Sequence, residues 1–270
     1  IAGGDPSDPL ARAGTWDGAP RGTLRDDALA GVRLGLVDVH APRAQMTADA
    51  LGVWDRAVGD LRAAGATVEP FAPAVTRVNY RDAFAESARA RGDVPVDADA
   101  PAPTGNALLA YFARRAGDPG LGDARAAVRR GYAAYRAYYD VLPATFEACE
   151  PLLDRPMVDD PAGRSFARSR AEVVAALAAS MRAAGVAAMV YPTMPFSAPR
   201  AADHWPDVRT PLGFGNWLGL PEVSVPAGLG ADGMPALNLS VVGLPGEDAR
   251  VLAVAHAYER QSRRFVAPPR

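Results

Sequence analysis

Lysine is missing from this 270-residue sequence: all 29 of its Lys/Arg side chains are arginine. Arginine stays protonated at any ordinary pH, so it cannot act as a base. Chemistry that needs a lysine amine is therefore excluded from this chain's own residues. A single cysteine, Cys149, excludes an intramolecular disulfide framework and any multi-thiolate metal site, and a reducing cytoplasm is the expected compartment. The three histidines, His40, His204 and His256, are scattered, with no His-x-x-x-His or paired-carboxylate spacing, so no metal centre is expected. No apolar run approaches the ~18 residues needed to span a bilayer. Ile1 opens no charged-then-apolar leader. With a formal net charge of −2, nothing draws the chain to a nucleic acid or an anionic membrane. The pairs Arg114-Arg115, Arg129-Arg130 and Arg263-Arg264 sit among acids and alanines, as solvated helix faces do.

What is there suits a globular protein: 49% hydrophobic and 22% charged residues can bury a sizeable core. The run GVRLGLVD from Gly31 reads as a strand, and apolar periodicity from Ala48 to Ala64 reads as a helix stopped by Gly65. ATVEPF follows as a second strand, so a parallel pair joined by a helical crossover is expected. Asn79 to Arg91 reads as a helix, and Gly92 to Thr104 as a loop holding Pro95, Pro101 and Pro103. Between Asn106 and Glu150 the tyrosines 132, 135, 138 and 139 form one helical stripe suited to packing. After Pro151, Pro156 and Pro161 a helix is expected from about Ala162 to Ala184, closed by Gly185. Strands are expected at Val186–Tyr191, Glu222–Val225 and Leu237–Val242, and an amphipathic helix at Asp248–Arg260. Strands and helices alternate, so the class is α/β, with residues 1–270 forming one domain.

Three motifs invite chemistry, and their context argues against each. Gly228-Leu-Gly230-Ala-Asp-Gly233 fits G-x-G-x-x-G, but a dinucleotide site needs a helix next, and MPALNLSVV reads as a strand. Asp232-Gly233 is then the turn between two strands. Ser224 or Ser197 could be combined on paper with His204 and Asp203 or Asp207, but no G-x-S-x-G elbow exposes either serine. Cys149 reads as an inert thiol near a helix end. The Pro192-Thr193-Met194-Pro195 turn differs, because open α/β sheets bind ligands beyond the carboxyl ends of their strands, and two prolines stiffen it.

The segment TPLGFGNWLGLPEVSVPAGLGADGMP (Thr210–Pro235), with VYPTMPFSAP (Val190–Pro199) before it and GLPGEDARVLAVAHAYE (Gly243–Glu259) after it, resembles the C-terminal half of the amidase signature family in order and spacing. IAGGDPSDP (Ile1–Pro9) resembles the turn that follows that family's catalytic half. Ala236-Leu-Asn238 stands where the family pattern usually has a glycine. Members hydrolyse amides with a nucleophilic serine, a second serine in a cis peptide that relays the proton, and a lysine as base. The resemblance implies that all three would precede Ile1, and a start at Ile1 instead of Met fits that expectation. It further implies a mixed sheet flanked by helices, incomplete without a missing N-terminal half or separate catalytic chain. No catalytic residue is expected here, and no cofactor. By the same resemblance Thr193, Met194, Pro195, Phe196, Phe214, Asn216 and Trp217 are candidates for contact with a small-molecule amide substrate. Alternatively, Asn216 ties its own turn and Trp217 is core. A non-catalytic ligand-binding or partner subunit, or an unrelated α/β binding domain, remains an alternative reading of the whole chain.

Overall fold

The computed structural model describes residues 22, 24–38, 43–76, 80–93, 161–197, 214–231 and 233–266. The tyrosine stripe, Cys149, His40, His204 and the prolines at 95, 101 and 103 lie outside them. The chain divides into two compact units, one of Ile1–Val78 with Val174–Arg270 and one of Asn79–Val173.

The larger unit is built on a five-stranded sheet. Strand β1 (Arg33–Leu36) leads to helix α1 (Ala48–Ala63) and then to β2 (Thr67–Pro70), which lies parallel to β1 with Arg33 opposite Thr67. Thr47 caps α1 by accepting a hydrogen bond at its side-chain oxygen from the Ala50 N–H, 3.4 Å away. At the far end Gly65, with φ of 93°, takes the left-handed conformation that side chains resist. The Gly65 N–H then donates to the Arg62 carbonyl and the Ala66 N–H to the Leu61 carbonyl, closing the helix and aiming the chain into β2. The crossover expected from the sequence is present with close to the expected limits.

Helix α2 (Tyr80–Ala90) belongs to the smaller unit. Helix α3 (Pro161–Ala184) begins there and passes into the larger unit after Val173. It ends at Gly185 in the same kind of cap as α1, with Val186 N–H donating to the Met181 carbonyl. Strand β3 (Ala188–Pro192) is buried along its whole length. A short helix, α4 (Phe214–Leu218), precedes β4 (Glu222–Leu229), β5 (Pro235–Val242) and the last helix, α5 (Asp248–Ser262).

The sheet order is β2-β1-β3-β5-β4. Strand β3 runs parallel to β1 and antiparallel to β5, and β4 pairs antiparallel with β5. The sheet is therefore mixed, as the resemblance implied. One face packs on α1 and α5: Leu34, Val68, Val190, Val225, Leu239 and Val241 meet Val53, Trp54, Leu61, Val254 and Tyr258 in one core. The buried residues of α1 (Ala50, Val53, Trp54, Ala57, Val58 and Leu61) recur every three or four positions, which puts them on one stripe.

Strands β3 and β5 and helix α5 differ from the sequence reading by one or two residues at an end, and β4 differs by more. Strand β4 does not stop at Val225 but continues through Pro226, Ala227 and Gly228 to Leu229. As the edge strand it tolerates a proline, and its register shifts around Gly228. A Cβ at Gly228 would lie 3.3 Å from Val53 Cγ1, so the missing side chain lets the strand approach α1 closely.

In the smaller unit α2 meets the first half of α3. The Phe84 and Phe166 rings form an edge-to-face pair at 5.2 Å, and the Ser169 hydroxyl donates to the Phe84 carbonyl. Arg91 is held by Asp93 at 3.0 Å, Glu172 at 2.7 Å and the Ser169 hydroxyl at 2.9 Å. Hydrogen bonds from Ser87 and Arg91 keep the Glu172 carboxyl below its usual range.

Trp54 is 2% exposed at the centre of the main core. Trp54→Ala is expected to destabilise the protein by about 3–5 kcal/mol, read as a fall in the urea midpoint with little change in slope.

Candidate functional site

The loop after β3 is held from two sides. The Thr193 N–H donates to the Asn238 carbonyl at 2.8 Å, extending the β3–β5 ladder by one rung, and the Thr47 N–H donates to the Pro195 carbonyl at 3.3 Å. Pro195 and Phe196 are buried, and Met194 is half-buried. The loop lies at the carboxyl end of β3, where the sequence places it.

Helix α4 carries the other candidates and lies against the sheet face opposite α1 and α5. Phe214, 2% exposed, packs its ring on Tyr191 with centroids 5.9 Å apart. The Gly215 N–H donates to Glu222 Oε2 at 3.0 Å, and the Tyr191 hydroxyl donates to Glu222 Oε1 at 2.5 Å. One carboxylate thus joins α4, β3 and β4. A Cβ at residue 215 would fall 2.7 Å from Glu222 Oε2, so the contact depends on glycine there. Asn216 is exposed, and its backbone is part of α4. The backbone of Trp217 follows in the same helix; its side chain is not among those described.

A row of hydroxyls connects the loop to this helix. Tyr191, Ser240 and Ser224 are direct neighbours across β3, β5 and β4, so their side chains share a face. The Thr193 hydroxyl bonds Ser240 Oγ at 2.8 Å and Ser224 Oγ at 3.0 Å. Ser240 is fully buried, whereas Ser224 is exposed. Burial pushes the Tyr191 phenol well above its ordinary pKa, and the nearby Glu222 carboxylate adds to the shift.

The structure thus brings Thr193 and Phe214 to one polar row through Ser240 and Tyr191. Sequence reasoning missed Tyr191, Glu222 and Ser240, and it weighed Ser224 only as a triad nucleophile. The signal was in the alternation Glu222-Val223-Ser224-Val225, which puts the acid and the serine on one face and the valines on the other. Ser224 bonds Thr193, while Asp203, His204 and Asp207 lie outside the described residues. His256 is paired with Asp26 at 3.0 Å, and that hydrogen bond holds the Asp26 carboxyl below its usual range. Among the described residues no group of His, Cys, Asp or Glu could hold a metal ion, and no helix is long and apolar enough to cross a membrane.

No family model matches the chain. Among curated proteins it is similar to a glutamyl-tRNA(Gln) amidotransferase subunit of Roseobacter denitrificans, 48% identical over 54 residues, which is 20% of this chain and 10% of that protein. Among solved structures it is similar to the native peptide amidase from Stenotrophomonas maltophilia, with a TM-score of 0.64 and 22% identity, covering 97% of this chain and 50% of that one. A bacterial aryl acylamidase of the amidase signature enzymes aligns with a TM-score of 0.52 and 19% identity, over 96% of this chain and 49% of that one. The structural likeness is one of fold, and the chain spans about half the length of these two solved structures.

Because its pKa is raised on folding, the Tyr191 phenol contributes stability that is intact below the ordinary tyrosine value of 10.0 and is lost as pH rises above it. Unfolding free energy is expected to fall above about pH 10, and Tyr191→Phe to make the fall shallower by up to about 1.4 kcal/mol per pH unit. Urea titrations between pH 8 and 11 read this. An unchanged slope would mean that the phenol ionises as readily in the folded state as in the unfolded one.

Proposed function

Because the chain belongs to the amidase signature family, we propose that it forms one wall of the acyl pocket of a hydrolase that cleaves carboxamide, aryl-amide or alkyl-amide bonds of small molecules. The nucleophile and base are supplied by residues outside this chain. In this reading a serine attacks the amide carbonyl to form an acyl-enzyme, and its proton passes to a lysine base. The wall consists of Thr193, Met194, Pro195 and Phe196 from the loop after β3, with Phe214, Asn216 and Trp217 from α4, all within one α/β domain.

The observation that carries the reading is the common anchoring of loop and helix to one sheet face. Thr193 bonds Ser224 and Ser240, and Phe214 packs on Tyr191, which neighbours Ser240 in the ladder. Rigid placement of two short segments around a polar row suits recognition of a planar polar group with an apolar substituent. The likeness to the peptide amidase and the aryl acylamidase supports amide chemistry in general. The absence of lysine favours a second reading, a non-catalytic binding or partner subunit, for the chain by itself.

An aryl-amide hydrolysis assay separates the two. The natural full-length protein is expected to release the arylamine, and residues 1–270 by themselves to give no turnover above background. Asn216→Ala, at an exposed position, is expected to raise KM by roughly three- to tenfold, the loss of about one hydrogen bond, without moving the thermal midpoint. A full-length protein that turns over no aryl, alkyl or primary amide would leave a non-catalytic binding role as the better account.

A further inference from the structure

Glu222 begins β4 three residues after α4 ends, and the turn between them brings its side chain back to that helix. Gly219, with φ of 67°, reverses the chain, and the Leu220 N–H donates to the Phe214 carbonyl at 3.4 Å. The Gly215 N–H belongs to the first turn of α4, where an amide has no partner within its own helix. Glu222 Oε2 accepts it at 3.0 Å. The room for this comes from the missing side chain, since a Cβ at Gly215 would lie 2.7 Å from Oε2 and 3.2 Å from the Glu222 Cβ. The other oxygen is fixed from the core. Tyr191 is fully buried in β3, on the far side of β5, and its hydroxyl donates to Glu222 Oε1 at 2.5 Å. A carboxylate held at one oxygen by a buried phenol has its second oxygen aimed.

The two segments of the substrate wall are thus placed by different means. The loop after β3 is tied by backbone hydrogen bonds, Thr193 N–H to the Asn238 carbonyl and Thr47 N–H to the Pro195 carbonyl, which use no side chain. Helix α4, five residues long, takes its tie to the sheet from a side chain. We propose that Glu222 is a positioning residue of the site, setting through Gly215 the place from which α4 presents Asn216 to a bound amide. The proposal rests on the reading of α4 as part of the substrate wall and adds the group that fixes its position. Glu222 acts through Gly215 and does not itself touch the substrate. What the tie requires is reach. Aspartate is one methylene shorter and cannot span Gly215 and Tyr191 together, whereas glutamine keeps an acceptor for the Gly215 N–H and offers an N–H to the phenol oxygen.

Three measurements on the natural full-length protein test this. Hydrogen exchange over residues 214–218 reads the tie itself. Hydrolysis of para-nitroacetanilide and calorimetric binding of acetophenone, an aryl ketone with no amide bond to cleave, read its consequence. Glu222→Ala and Glu222→Asp are expected to speed exchange in α4 and to raise both KM and the ketone's Kd about tenfold, the scale of one hydrogen bond to a charged group. Because the contact is made alike before and during reaction, kcat is expected to stay within about twofold. Glu222→Gln is expected to restore exchange, KM and Kd to within about threefold of the unsubstituted protein. The proposal is overturned if α4 exchange is unchanged in the Ala and Asp variants, or if exchange quickens while KM and Kd stay put. It is equally overturned if Glu222→Gln behaves like Glu222→Asp, or if the protein neither binds the ketone nor cleaves the amide. Turnover is scored separately. Ketone binding that depends on Glu222 in a protein that cleaves no amide would sink the hydrolase reading and leave this one. Amide cleavage with a KM indifferent to Glu222 would do the reverse.

Discussion

The register between β3, β5 and β4 is the constraint on which the rest of the larger unit depends. With Val190, Val241 and Val223 in one rung and Tyr191, Ser240 and Ser224 in the next, the sheet sends valines to α1 and α5 and hydroxyls to the other side. A slip of one residue in any of the three strands would exchange the faces, burying hydroxyls against Trp54 and turning valines toward α4. Both the core and the polar row penalise that slip, so the alignment is specified twice.

Helix α4 shows how a short element can be placed without a core of its own. Five residues form too few internal hydrogen bonds to be a stable helix in isolation. Its position comes instead from the sheet: Phe214 is buried on Tyr191, and Glu222 accepts both the Gly215 N–H and the Tyr191 hydroxyl. Hydrogen bonds to a carboxylate are worth about 1.5–3 kcal/mol each, more than neutral ones.

The candidate wall divides into parts that differ in what holds them. Pro195 and Phe196 are buried, and their loop is tied by backbone hydrogen bonds to β5 and to the start of α1, so its geometry is inherited from the core. Asn216 projects from a helix held at its first turn. Ser224 lies within an edge strand and is hydrogen-bonded to Thr193. Two short segments and one strand position thus reach a common face by three different routes.

Local sequence rules went far in this protein because its elements end in strong punctuation. Gly65 and Gly185 mark helix ends where the chain turns into a strand, the apolar spacing of Ala50 to Leu61 declares a one-faced helix, and the apolar Val186–Tyr191 run announces a buried strand. Those signals depend on neighbours within a few residues, and so a single sequence carries them. The limit of β4 was not legible, because Pro226 and Gly228 look like a strand's end unless one knows that β4 is an edge strand packed closely on Val53. The loop at Thr193 and the short helix at Phe214 could be named as candidates from resemblance. The hydroxyl row could not, since Tyr191, Ser224 and Ser240 are distant in sequence and become neighbours only when three strands pair in one register. Alternation, caps and composition were thus determined by the sequence itself. Which polar groups meet was decided by the tertiary structure, because these hydrogen bonds exist only between atoms that folding has brought within 3.0 Å of one another.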